Sequence, residues 1–259
     1  MITSTSNSKV QALRALRRRD ERLARGWYLA EGVRLVEEAL KAGDPRLILF
    51  NPATLERTPR GADLLRQLVA LEGIAWPATE AVLAAASDTQ TPQGVVAALP
   101  LPAADDAPLQ GTLALVLDGV QDPGNLGTIL RTAWAAGVTE VLTTPGTTDP
   151  FGPKAVRAGM GAHCRLRLLP DRSWDQVAAM AAGRRVLLAD VRGDVRYDEV
   201  DWHRPSLLIL GSEAHGPASA IAQLAAARVT IPMADDVESL NVAAAAAVLL
   251  FEYRRQQTR

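Results

Sequence analysis

Apolar-rich runs at 112–118, 139–143, 185–190, 206–210 and 228–231 read as strands. Between and after them, apolar positions recur at three- and four-residue spacing over 125–136, 153–161, 173–182, 217–226 and 239–256, which predicts helices. Strands that stay apolar instead of alternating, each followed by a helix, predict a parallel sheet covered on both faces. The first hundred or so residues alternate less regularly. They predict a helix over Lys9–Arg25, a strand at Trp27–Ala30, a helix over Gly32–Ala42 and a strand at Leu47–Phe50. Helices at Ala62–Leu71 and Ala78–Ala86 and a strand at Gly94–Leu99 complete a small α/β domain. The proline-rich LPLPAADDAPLQG, Leu99 to Gly111, separates the two series as a linker.

Composition changes this picture in three places. Aromatics are only 4% against 48% apolar residues, so the core is aliphatic. The net charge of −1 signals no nucleic-acid partner by itself, but its distribution does. Lys9, Arg14, Arg17, Arg18, Arg19, Arg22 and Arg25 crowd one predicted helix whose only acids are Asp20 and Glu21, a pattern suited to a phosphate backbone. Cys164 is the single cysteine and His163, His203 and His215 are scattered, so neither a disulfide nor a zinc site is expected. Residues 1–8, MITSTSNS, lack a signal-peptide core and read as a disordered tail. No uncharged apolar run approaches the roughly 18 residues of a membrane span. A cytoplasmic protein without membrane or metal is the expectation.

Three stretches carry the chemistry. DPGNLGTILRTA follows the first strand of the second series, and a glycine-containing turn between strand and helix often holds phosphate. It has neither a Gly-Lys-Ser/Thr ending nor G-x-G-x-x-G. Asn125 stands where an N-cap is expected. Leu126, Ile129, Leu130, Ala133 and Trp134 form an apolar stripe, Gly137 ends the helix, and Arg131 falls roughly 100° off the stripe, placed to meet a ligand. In LLILGSEAHG an apolar strand ends at Gly211, with Glu213 the one acid at that edge, His215 a loop residue and Gly216 following. Open α/β sheets bind ligands outside the carboxyl ends of their strands. The third stretch, VTIPMADDVESLNVAAAAAVLLFEYRR, ends a strand at Ile231-Pro232-Met233 and opens a helix with Ser239-Leu240-Asn241. Helix propensity accounts for Ala243 to Ala247, but not for the polar Ser-x-Asn corner before them.

Together these stretches resemble the SpoU/TrmH-like family of RNA ribose 2′-O-methyltransferases, within the SPOUT superfamily. AEGVRLVEEAL and SDTQTPQGVVAAL make the first segment similar to that family's L30e-like substrate-binding domain. The resemblance implies an L30e-like RNA substrate-binding domain at 9–99, a linker at 100–111 and a methyltransferase domain at 112–259 with a deep trefoil knot. It also implies a homodimer and S-adenosyl-L-methionine as cofactor. By motif match the cofactor is held by Leu210, Gly211, Glu213, Gly216, Ile231, Pro232, Met233, Leu240 and Asn241. Arg131 would be the catalytic residue that assists deprotonation of the ribose hydroxyl, either as a base or as a cation that holds the adjacent phosphate and stabilises the developing alkoxide. Asn125 would orient the ribose or Arg131, Ser239 and Asn241 would fix the nucleotide or support Asn125, and Glu213 would anchor an arginine across the dimer.

Arg157 matches an arginine used on substrate phosphate, with Gly159 where the family more often has serine. The implied substrate is RNA: large-subunit ribosomal RNA ahead of transfer RNA. A non-catalytic RNA-binding assembly factor on the same fold stays open. A nucleotide-dependent oxidoreductase lacks its glycine fingerprint here.

Overall fold

The computed structural model describes residues 1–42, 45–103, 105–211, 225–235 and 237–258. The chain packs as two compact units, Met1–Pro102 with Phe151–Cys164, and Ala103–Pro150 with Arg165–Arg259.

The first unit contains α1 (Ser8–Ala15), α2 (Arg19–Arg25), β1 (Trp27–Glu31), α3 (Val33–Ala42), β2 (Leu47–Phe50), α4 (Pro52–Leu55), α5 (Pro59–Val69), β3 (Ala75–Pro77), α6 (Glu80–Ala86) and β4 (Val95–Pro100). Its sheet has the order β1-β4-β2-β3, antiparallel except for the parallel β2–β3 pair. Val10, Leu13 and Leu16 pack with Val82, Leu83 and Val96 in its core. The short α4 and β3 carry too few residues to show a period.

Two sequence expectations change here. The helix expected over Lys9–Arg25 is two helices, broken between Ala15 and Arg19. Arg22 turns back into the break, 4% exposed, and its Nη1 donates to the carbonyls of Leu16 at 2.9 Å and Arg17 at 3.0 Å. The expected disordered tail is placed. Ile2 donates to the Pro77 carbonyl at 2.7 Å and accepts from Thr79 N at 3.0 Å, and its side chain lies against the core. Asn7 caps α1, accepting from Lys9 N at 2.9 Å.

The second unit contains β5 (Leu113–Asp118), α7 (Pro123–Ala136) and β6 (Glu140–Thr143). After α8 (Pro153–Gly159), which groups with the first unit, come β7 (Arg167–Leu169), α9 (Trp174–Met180), β8 (Arg185–Ala189), β9 (Val195–Arg196), β10 (Ser206–Gly211), β11 (Ala227–Thr230) and α10 (Val242–Gln257). Its sheet runs β7-β6-β5-β10-β8-β11-β9 with every pair parallel. Ala114, Val116, Leu207 and Ile209 point to the face covered by Val177 and Met180 of α9. The alternate residues Leu115, Leu117, Leu208 and Leu210 are equally buried and point to the other face. There α10 packs on α7 and β10. The mixed α/β fold with a mostly parallel, two-sided sheet is therefore as expected. The helix expected at 217–226 falls almost wholly outside the described residues.

The proline-rich linker is held along the second unit by three arginines. Arg167 donates to Asp105 Oδ2 at 2.7 Å, to the Ala107 carbonyl at 2.7 Å and to Glu140 Oε1 at 2.8 Å. Arg184 donates to the carbonyls of Leu109 and Gly111, both at 2.6 Å, and Arg172 to the Asp105 carbonyl at 3.1 Å. Glu140, 3% exposed, accepts from Gln110 N at 2.7 Å and Gly111 N at 3.0 Å. The Ala107 amide and then Arg167 hold the Asp105 carboxyl below the usual carboxylate range.

Candidate active site

A parallel sheet brings the carboxyl ends of its strands to one edge, and here that edge holds a cavity of about 640 Å³. Its wall comprises Leu188–Arg192 at the end of β8, Leu210 and Gly211 of β10, and Arg228, Val229, Ile231 and Met233 in and after β11. Glu238–Leu240, Val242, Ala245 and Leu249 close it from the α10 side. Leu210, Gly211, Ile231, Met233 and Leu240 are thus together as the sequence suggested, with Ser239 beside them. Pro232 and Asn241 flank the cavity without lining it, and Glu213 and Gly216 lie outside the described residues. Sequence reasoning missed the Asp190–Arg192 wall. Its signal was the same strand-end rule, applied to β8.

Among the described residues, a Cβ at Gly211 would meet no atom within 4 Å. Among those residues packing does not demand the glycine, so the position leaves room for a ligand. Apolar walls suit a flat base, and the volume lies in the range of about 300–1,000 Å³ usual for small-molecule sites. The chain's residues therefore fit S-adenosyl-L-methionine. Leu210, Ile231, Met233 and Leu240 would hold it. Asp190 accepts from Arg228 Nη1 at 3.0 Å and from Arg192 N at 2.9 Å, which fixes the far wall.

Beside the cavity two helix starts meet. Asn125 is not the N-cap of α7. Asp122 is, accepting from Asn125 N at 2.8 Å, and Pro123 occupies the first helical position. Proline suits that position because its φ is preset and no N–H is lost. Asn125 therefore sits inside the first turn with its side chain released from capping. Asn241 caps α10, its Oδ1 accepting from Ala243 N at 2.9 Å and Ala244 N at 3.4 Å. With that oxygen committed, its Nδ2 donates to Asn125 Oδ1 at 3.2 Å. Asn125 is thereby oriented, and its own amide N–H donors have no partner among the described residues. They are suited to an oxygen-rich ligand.

Arg131 is exposed on α7, outside the cavity wall, with no side-chain partner among the described residues. Arg157 lies in the first unit, where its Nη1 donates to Asp88 Oδ2 at 2.8 Å. Of the arginine arm, Arg14 and Arg19 are exposed and Arg18 is exposed but paired with Asp20. Arg17 is half-buried and donates to the Ala85 carbonyl at 3.1 Å. Arg22, expected at the RNA surface, is corrected to a structural residue because backbone carbonyls hold it inside. Among the described residues no group of His, Cys, Asp and Glu is placed to hold a metal, and no helix is long and apolar enough to cross a membrane.

The parallel sheet, its edge cavity and the paired helix starts define an α/β protein built to hold a small cofactor next to a second ligand. Residues 112–251 match the model of the SpoU rRNA Methylase family, and residues 7–97 match the MRM3-like substrate binding domain. The chain belongs to the SpoU rRNA methylase family. It is 37% identical to an uncharacterized tRNA/rRNA methyltransferase of Synechocystis, covering 99% of this chain and 94% of that protein. It is 33% identical to the 23S rRNA (guanosine(2553)-2′-O)-methyltransferase RlmP of Bacillus subtilis, covering 98% of each. An AdoMet-bound rRNA methyltransferase from Sinorhizobium meliloti superposes with a TM-score of 0.84 at 33% identity, covering 98% of this chain and 97% of that one.

Proposed function

We propose that the protein transfers the methyl group of S-adenosyl-L-methionine to a ribose 2′-hydroxyl of large-subunit ribosomal RNA. The observation that carries this reading is the cavity shared by the end of β10, the residues after β11 and those before α10, beside the oriented Asn125. The family and the 23S substrate in the RlmP name support it. The cofactor supplies a methyl already activated by its sulfonium. The chain's task is the hydroxyl, a weak acid and a poor nucleophile.

Asn125 Nδ2 donates to a ribose oxygen and sets the approach of the sugar, while Asn241 fixes the Asn125 amide and Ser239 borders the cavity. A guanidinium keeps its proton, with a pKa above about 12. Arg131 therefore acts as a cation that holds the neighbouring phosphate and offsets negative charge on the 2′-oxygen as its proton leaves. Arg14, Arg18 and Arg19 supply further phosphate contacts from residues 9–99, the RNA-binding domain, and Arg157 exchanges Asp88 for a phosphate.

The same reading includes a threaded C-terminal crossing, a cytoplasmic setting and a homodimer. Phe251 on α10, 51% exposed next to exposed or half-exposed Ala244, Ala247 and Val248, offers a face suited to a second copy. Sedimentation tests the dimer. The reaction is tested by incubating the protein with labelled S-adenosyl-L-methionine and either 23S rRNA or transfer RNA, then mapping 2′-O-methyl positions. Label in the ribosomal RNA is expected. Label confined to transfer RNA overturns the substrate, and no cofactor binding by calorimetry overturns the enzyme in favour of an assembly factor.

A further inference from the structure

Among the described residues the cavity wall holds four charged ones, and two of them satisfy each other: Asp190 and Arg228, bonded at 3.0 Å. The other two, Arg192 and Glu238, are exposed and have no side-chain partner among the described residues. They grow from different loops, one after β8 and one before α10. Most of the remaining wall is apolar, including Leu188, Leu210, Ile231, Met233, Leu240 and Leu249. A ligand that matches these residues has a large neutral part and carries one anionic and one cationic group. Adenosine supplies the neutral part, but no charge.

We propose that Arg192 and Glu238 form a clamp for the cofactor's amino-acid tail. The guanidinium binds the α-carboxylate through paired N–H donors, and the Glu238 carboxylate accepts from the α-ammonium. Arginine matches a carboxylate in geometry as well as in charge, since its planar fork can bond both oxygens. The Asp190–Arg228 pair supports the assignment by neutralising the two other charges, so that neither competes for the tail. Asp190 also accepts from the Arg192 amide, which fixes the backbone from which that guanidinium reaches. This inference rests on the cofactor reading above and adds to it the residues that distinguish a nucleoside from an amino-acid-bearing nucleoside.

Calorimetry with three ligands tests it: S-adenosyl-L-methionine, S-adenosyl-L-homocysteine, and 5′-methylthioadenosine, which keeps the nucleoside thioether and lacks the tail. The wild type is expected to bind both tailed ligands more tightly than methylthioadenosine. Arg192→Gln and Glu238→Gln are each expected to weaken S-adenosyl-L-homocysteine about tenfold, as loss of one partly screened charged hydrogen bond would do. Both leave methylthioadenosine within about twofold, which also reports that the variants fold. Glu238→Gln should weaken the two tailed ligands equally, because both carry the ammonium. A larger loss for the sulfonium compound overturns that pairing. Unchanged affinity for S-adenosyl-L-homocysteine, or an equal loss for methylthioadenosine, overturns the clamp while the cofactor reading stands. A wild type that binds none of the three overturns both.

Discussion

The two units use arginine in opposite ways. In the first, Arg14 and Arg19 on the helices and Arg18 between them are exposed, and Arg18 pairs with Asp20 and not with a carbonyl. In the second, Arg167, Arg172 and Arg184 turn toward the linker and bond its carbonyls. The linker has no helix or strand to satisfy those carbonyls, and an arginine offers five donors in a fixed fork. Arg22 obeys the second pattern inside the first unit, because the break after α1 leaves the carbonyls of Leu16 and Arg17 to be met. What separates these carbonyl-bound arginines from the exposed ones is therefore the presence of orphan carbonyls within reach. Local charge density does not separate them.

The largest effect should come from an arginine with neither role. Arg131 bonds no carbonyl and no carboxylate among the described residues. Arg131→Ala is expected to lower single-turnover methylation by about 10²–10³-fold, with cofactor affinity and melting temperature nearly unchanged. Full activity would remove Arg131 from the chemistry. Next, Arg167→Ala should destabilise the second unit by about 3 kcal/mol in a urea titration, since it strips a partner from buried Glu140. Arg167→Lys should recover only part of this, because a lysine cannot bridge Asp105, Ala107 and Glu140 together. A loss below about 0.5 kcal/mol, the scale of ordinary surface substitutions, would mean that the linker holds without its clamp.

Asn241 serves backbone and site at once, so one substitution can separate the roles. Asp also caps helices, but it cannot donate to Asn125. Asn241→Asp should leave the melting temperature almost unchanged while kcat falls roughly tenfold, as Asn125 turns its amide toward the new carboxylate. Equal loss of stability and rate would reduce Asn241 to a cap. Replacing Arg14, Arg18 and Arg19 with Glu should weaken RNA binding and reduce its salt slope by about 0.7 per lost phosphate contact. Arg22→Ala should instead act on stability, and a selective effect of Arg22→Ala on the salt slope would break the distinction drawn above.

The smallest effect concerns Asp105. Its carboxyl is depressed in the folded chain, chiefly by the Ala107 amide and then by Arg167. A depressed carboxyl contributes stability above its unfolded value, about 3.9, and that contribution is lost as pH falls through the folded value. The stability difference between wild type and Asp105→Asn should be present near pH 6 and vanish on acidification below about pH 4. A difference that grows on acidification would contradict the sign.

Much of the fold was legible because burial leaves a period. The strands at 113–118, 206–211 and 227–230 and the helix at 242–257 lie within a few residues of where the apolar pattern puts them. Edge elements such as β3 and β9 were not legible, since two or three residues show no period. At the candidate site, the end of β10 and the loop after β11 were readable as motifs, and a parallel sheet brings its strand ends to one edge; the rest of the β10 motif lies outside the described residues. The cap of α7 was misread. Asp122 and Asn125 are both good caps, and only the position of Pro123 as the first helical residue decides between them.

The amino-acid order alone determined the main strands and helices, the parallel sheet and the family, because each follows from local periodicity or from contiguous motifs. Tertiary structure decided which arginines are structural, that Phe151–Cys164 groups with the first unit, and that the end of β8 walls the cavity. The reason is reach. A polar group's partner is whatever donor or acceptor lies within about 3 Å, and for Arg167 those partners stand 27 to 62 residues away along the chain.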